Sequence, residues 1–244
     1  MPEQKLFEKN TCTVYNLGRM HYTAAYSLQK EIHVRIAKGT SSYTFILVEH
    51  YPVITIGKSG SETDVLLNKH LLQKKNIPVI QIDRGGQVTF HGPGQLVGYI
   101  LFPVKNIVKD LHAFMATLEL SLIKTIADFG ISAQHNKQFP GVWVADKKIA
   151  SVGIAIHQGI TMHGFALNIH TDLSFFRYIV PCGLKQGKVT SFATELVHSP
   201  SLQAVAHRYL YHMQDVFGFS SCIPTPLPSA LCFATEQGQE NEKE

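Results

Sequence analysis

The sequence predicts an α/β or mixed α+β domain, a central mixed β-sheet flanked by helices, on three observations. Apolar residues at helical spacing and residues alternating with period two interleave along the chain, without strict strand–helix–strand alternation. Residues 95–104 form a near-continuous apolar run, the pattern of a strand covered on both faces. No internal repeat or low-complexity linker divides the 244 residues, so 1–222 are expected to be one domain. Residues 223–244, proline-rich and then acidic, are expected to be a loose tail.

Taken in order, residues 12–17 alternate as a short strand. Residues 20–38 read as a helix with Ala25, Leu28, Ile32 and Ile36 on one face and Gly39 as its stop. Strands are expected at 44–49 and 53–56 around the Pro52 turn, a helix at 64–75 and a strand at 77–82. The stretch 84–94 holds four glycines and a proline. It reads as a glycine turn, a short strand over 87–91 and a second glycine turn, together walling a pocket. A helix over 109–129 ends at Gly130. Strands at 142–145, 148–156 and 160–169 follow, with hairpin turns at Asp146-Lys147 and Gln158-Gly159. Ser199 as N-cap and Pro200 at the first helical position open a last helix that runs to Phe217.

Composition narrows the function classes. There is no run of eighteen apolar residues, so no membrane span is expected. The amino terminus carries acids and lacks an apolar signal core, which gives a cytoplasmic expectation. The four cysteines, at 12, 182, 222 and 232, form no CxxC pair, and disulfides are not expected in that compartment. A net charge of +4 is too small and scattered for nucleic acid, though it would help an acidic protein dock. Neither HExxH nor zinc-type Cys/His spacing occurs, so no metal is expected, and the glycine stretch fits neither GxGxxG nor GxxxxGK[ST].

Two residues stand out chemically. Cys182 lies between Pro181 and Gly183, a tight bend that can expose its sulfur; it is a nucleophile if its thiolate is stabilised, or else a small packed hydrophobe. Cys12, on an expected edge strand, and the tail cysteines are weaker candidates. If 148–156 is one unbroken strand, period two puts Lys148 on the face of Ala150, Val152, Ile154 and Ile156. Such a lysine either snorkels at the strand end or is desolvated for a purpose, while Lys147 in the turn is expected to be solvated. Arg84 binds an anionic group or pins its turn. His91 and His163 read as pocket walls or satisfied core histidines.

Six ordered motifs carry a resemblance: Glu49-His50-Tyr51-Pro52-Val53-Ile54-Thr55-Ile56-Gly57; Arg84-Gly85-Gly86-Gln87-Val88-Thr89-Phe90-His91-Gly92-Pro93-Gly94-Gln95-Leu96; Gly141-Val142-Trp143-Val144; Lys148-Ile149-Ala150-Ser151-Val152-Gly153; His163-Gly164-Phe165-Ala166-Leu167-Asn168; and Pro181-Cys182-Gly183. In that order and spacing the chain resembles the lipoyl(octanoyl) transferases, the octanoyltransferases of lipoate biosynthesis. Phe90, where tyrosine is usual, and Ala150 are departures that leave the expected nucleophile intact.

The resemblance implies the fold of the biotin and lipoate protein ligases. It also implies transfer of octanoyl or lipoyl from acyl carrier protein to a lysine of apo lipoyl domains, namely glycine cleavage H protein and 2-oxoacid dehydrogenase E2 subunits. The family uses the cysteine of the PCG segment as acyl-thioester and the lysine of the KIxSxG segment to lower its pKa, here Cys182 and Lys148. The family's acyl pocket is lined by segments matching Arg84, Gly85, Gly86, Gln87, Val88, Thr89, Phe90 and His91, then Ser151, Val152 and Gly153, then Gly164, Phe165 and Ala166. Of these, glycines 85, 86, 153 and 164 are expected to open an apolar slot lined by Val88, Val152 and Phe165. No cofactor beyond the carrier's phosphopantetheine is implied, and a monomer is expected. ATP-dependent lipoate protein ligases and lipoyl amidotransferases are the alternatives on the same fold.

Overall fold

Apolar alternation opens the chain in a computed structural model that describes residues 11–104, 111–136, 138–180 and 188–232. Strand β1 (Thr11–Met20) leads into helix α1 (Tyr22–Ala37), which buries Ala25, Leu28, Ile32 and Ile36 and stops at Lys38 with Gly39 at φ +72°. Strands β2 (Thr44–His50) and β3 (Val53–Ile56) flank the Pro52 turn. The expected helix over 64–75 is cut down to α2 (Lys69–Lys74), because Val65 is extended and bridges Ile179 and the Asn68 side chain caps the Leu71 amide. Then come β4 (Val79–Gln81), β5 (Val88–His91), β6 (Gln95–Leu101) and α3 (Leu111–Ala127).

The second half is a strand array: β7 (Gln134–His135), β8 (Val142–Val144), β9 (Lys147–His157) and β10 (Ile160–Asn168). The hairpin turn between β8 and β9 is Ala145-Asp146 rather than Asp146-Lys147, with Ala145 at φ 51° and Val144 paired to Lys147. Lys147 is therefore in the ladder, and its Nζ donates to Glu195 at 2.7 Å instead of being left to solvent. Short helix α4 (Phe192–Glu195) follows. Helix α5 (Leu202–Phe217) starts two residues later than expected, since Ser201, not Ser199, accepts from the Ala204 amide as N-cap.

β11 (Ser221–Pro224) then pairs in parallel with β1, so ordered structure passes the boundary expected at 222. Leu231 is buried beside α1's core as well. Cys12 accordingly lies on an interior strand, not an edge.

Eight strands form one sheet in the order β11-β1-β2-β6-β10-β9-β8-β7, and β4-β3-β5 form a second. Helices α3 and α5 cover one face of the large sheet through Phe114, Leu118, Leu122, Val205, Tyr209 and Met213. Each such side chain contributes roughly 1.5–3 kcal/mol on full burial. Helix α1 covers part of the other face, and the small sheet packs its own core of Ile54, Ile56, Val88 and Phe90. Among the described residues, no helix is long and apolar enough to cross a membrane.

Candidate active site

A cleft opens where the small sheet meets the large one. The turn before β5 and β5 itself supply Arg84, Gly85, Gly86, Thr89 and His91; β9 supplies Lys148, Ser151, Val152 and Gly153; β10 supplies His163, Gly164, Phe165 and Ala166. Tyr22, Val97 and Tyr99 close it. The two walls are stitched by the Gly85 amide, which donates to the Ile154 carbonyl at 3.1 Å. Backbone comes close here because side chains are missing: a Cβ at Gly164 would collide with the Gly98 carbonyl of the adjoining strand. The cleft is tight, with about 40 Å³ of room for water-sized molecules.

Twelve of the residues expected to line a slot or act in it thus meet around one cleft, counting Lys148. Gln87, Val88 and Phe90 do not reach it. Val88–His91 is a strand, and period two sends Thr89 and His91 to the cleft but Val88 and Phe90 into the small sheet's core. Phe90 stacks there on Phe175 at 4.6 Å, and Gln87 is engaged through its carbonyl by the Gly57 amide. Cys182 falls in 181–187, outside the described residues. Tyr22, Val97 and Tyr99 carry no motif signal. Val97 and Tyr99 become visible only once β6 is known to pair with β10, which sets them opposite Ala166 and Gly164, and Tyr22 only once α1 is known to cover that face.

Lys148 reaches the cleft by a device that strict alternation misses. Trp143 pairs with Lys148 but Val142 pairs with Ala150, so Ile149 is an extra residue in β9, a β-bulge. Ile149 and Ala150 both enter the core under α3 and α5, and Lys148 is turned from that face to the one shared with Ser151 and Gly153. Its side chain is buried, 6% exposed, with Nζ 5.0 Å over the Trp143 ring.

The Lys148 stem runs past Gly141, whose φ of +124° and 2.5 Å separation between a virtual Cβ and the Ala150 carbonyl admit only glycine. Glu119 on α3 holds that turn: one oxygen accepts from the Gly141 amide at 2.6 Å, the other meets His135 Nδ1 at 2.7 Å. Glu119→Leu strands a buried amide and is expected to cost roughly 1–3 kcal/mol. A chemical denaturation midpoint equal to that of the parent would contradict it.

The backbone of Lys148 is equally fixed. Its amide donates to the Lys188 carbonyl and its carbonyl accepts from the Thr190 amide, both at 2.9 Å. On the other side of 181–187, the Val180 amide donates to the Asp64 carbonyl at 2.8 Å. A buried relay reaches the same place: His91 Nδ1 donates to Gln95, Gln95 donates to Asn168, and Asn168 donates to the Thr190 carbonyl. Arg84 pins its turn, giving hydrogen bonds to the Thr55 carbonyl and hydroxyl and to the Gly85 carbonyl.

The histidines are held by defined partners. His163 Nε2 donates to Asp83 at 2.7 Å while its ring stacks on Tyr26, so it is both a cleft wall and a satisfied core histidine on that nitrogen. Asp83 also accepts from His157 and Tyr26, and the His163 bond chiefly holds its carboxyl far below the usual range. His50 donates from Nδ1 to the Met20 carbonyl and accepts at Nε2 from the Tyr99 hydroxyl at 2.6 Å. Burial lowers His50 to about 4; burial, then the neighbouring His50 and Arg84 charges, lower His91 to about 3.

These depressed histidines make the fold acid-labile above the carboxylate range. Below pH 6.5 the unfolded chain takes up protons at His50 and His91 that the native chain refuses, so stability falls as pH falls, down to about pH 4. At about 1.4 kcal/mol per unit per site, acidification from pH 6.5 to 5 should cost roughly 3–4 kcal/mol. Urea midpoints measured between pH 7 and 5 test this, and a flat profile would contradict it.

A family model, lipoyl protein ligase A/B catalytic domain, matches residues 21–214. The octanoyltransferase of Dictyoglomus thermophilum is 44% identical over 203 residues, 83% of this chain and 86% of that one. The octanoyltransferase of Solibacter usitatus is 40% identical over 208 residues, 85% and 94% of the two chains. In structure, the bipartite lipoate protein ligase of Thermoplasma acidophilum superposes with a TM-score of 0.76 at 15% identity, covering 96% of this chain and 94% of that one. That last likeness speaks for the fold alone.

Proposed function

The chain belongs to the lipoyl protein ligase A/B catalytic-domain family, and on that premise we propose that it is an octanoyltransferase of lipoate biosynthesis. Octanoyl passes from the phosphopantetheine thiol of acyl carrier protein to Cys182, and from Cys182 to the ε-amine of a lysine on an apo lipoyl domain. Lys148 is the second catalytic residue. As an ammonium it stabilises the Cys182 thiolate, then gives a proton to the departing carrier thiol and takes one from the incoming amine. The thiolate carbon–sulfur exchange conserves the thioester, and amide formation in the second step is downhill, so the reaction needs no nucleotide or metal.

The observation that carries this reading is a buried lysine, Lys148, in a cleft that it shares with Arg84, His91 and His163 and that is otherwise walled largely by glycine backbone, aromatic rings and small side chains. Its backbone partners, Lys188 and Thr190, directly follow the segment that carries Cys182, which favours cooperation between the two. The walls suit an alkyl chain, whose burial contributes about 0.8 kcal/mol per methylene. Slot length then sets chain preference.

The test combines purified protein, octanoyl-acyl carrier protein and an apo lipoyl domain with no nucleotide, read by intact-mass spectrometry. An octanoylated acceptor lysine is expected, with an octanoyl adduct on the protein itself when the acceptor is withheld. A requirement for ATP, magnesium and free octanoate would replace this reading with that of a ligase.

A further inference from the structure

Cys12 and Cys222 lie 210 positions apart in sequence, yet the fold makes them neighbours. β11 lies parallel to β1 with Cys12 as the register partner of Cys222. In a parallel pair such partners project to the same face, and adjacent strands lie about 4.8 Å apart, inside the Cα separation of roughly 4.4–6.8 Å that a disulfide spans. Each thiol lies close enough to the other to shift its ionisation, while Cys12 Sγ itself donates to the Thr13 carbonyl at 3.6 Å. Both are free thiols here, Cys12 sealed in the core under α5 and Cys222 partly open to solvent.

We propose that Cys12 and Cys222 form an oxidisable dithiol, a modification site whose reaction partner is a low-molecular-weight disulfide. Cys222, the accessible member, acts first: its thiolate attacks one sulfur of the small disulfide, and the other half leaves as a thiolate that picks up a proton. Cys12 then loses its proton and attacks the Cys222 sulfur of the mixed disulfide, releasing the second small thiol. Two protein thiols are oxidised and one small disulfide is reduced to two thiols. The order of attack follows the environment: the neighbouring Cys12 thiol lowers the Cys222 thiol, whereas burial, then the Cys222 neighbour, raises Cys12. The product staples the carboxy-terminal strand to the first strand across nearly the whole chain, the loop length at which a cross-link constrains the unfolded state most. Neither sulfur lines the cleft, so this chemistry stands apart from the transfer reaction.

The experiment treats the full chain with oxidised glutathione at mildly alkaline pH, quenches by alkylation and maps non-reduced peptides. A Cys12–Cys222 peptide is expected, lighter by two hydrogen atoms than its two reduced halves together, with a melting temperature raised by several degrees. Cys12→Ala should stop at a stable glutathione adduct on Cys222, and Cys222→Ser should leave Cys12 free of both glutathione and cross-link. The link should form equally in Cys182→Ala, which separates it from the nucleophile. Wild-type protein that keeps glutathione on Cys222 without resolving it, that cross-links through Cys182 or Cys232 instead, or that stays reduced at Cys12, would overturn the proposal.

Discussion

Cys182→Ala should lower octanoyl transfer by on the order of 10³-fold or more while the far-ultraviolet circular dichroism stays that of the parent. The size follows from the chemistry. A direct attack of a lysine amine on a carrier-bound thioester must wait for both proteins to dock at once, whereas a covalent intermediate splits the reaction into two separate encounters. Without the sulfur only proximity and the polar donors of the cleft remain, and these leave residual catalysis rather than turnover. Incubated with octanoyl carrier, the wild type should gain the mass of one octanoyl group and the variant none. An adduct of equal yield on the alanine variant would place the nucleophile elsewhere and remove Cys182 from the mechanism.

How far the sequence reveals this site depends on whether a residue's role is local or comes from a distant partner. Helix α1 was legible because Ala25, Leu28, Ile32 and Ile36 sit on one stripe and all four are buried. β3 was legible because Val53–Ile56 is bounded by Pro52 and Gly57. The glycine stretch is a local signal too, and Arg84, Gly85, Gly86, Thr89 and His91 do face the cleft. What failed was alternation wherever a strand departs from regularity. The bulge at Ile149 reverses the expected face of Lys148, and a two-residue shift in an N-cap moves the start of α5 from Ser199 to Ser201. Val88 was misplaced because the sequence does not say that β5 belongs to a separate small sheet with its own core. Tyr99 and the Cys12–Cys222 pairing were invisible, since each exists only through a strand far away in the chain.

Lys148 supports a sharper test because charge and proton transfer can be separated at one position. Lys148→Met keeps the volume of a side chain that is 6% exposed, so the fold should survive with a modest change in stability. Transfer should fall by about 10²–10⁴-fold, the usual contribution of a positioned acid–base group. The Cys182 alkylation rate should also move to higher pH, since removing a cation destabilises the thiolate. Lys148→Arg keeps the cation but cannot give up its proton at any working pH. If the lysine both stabilises the thiolate and carries protons, the arginine variant should hold the alkylation profile near that of the wild type yet transfer poorly. Arginine restoring full transfer would reduce Lys148 to a fixed charge. An alkylation profile unmoved by methionine would instead assign thiolate stabilisation to another group, leaving Lys148 only the proton on the carrier thiol and the acceptor amine. The bulge at Ile149 gives either outcome a structural cause, because it alone turns this side chain off the core face and into the cleft.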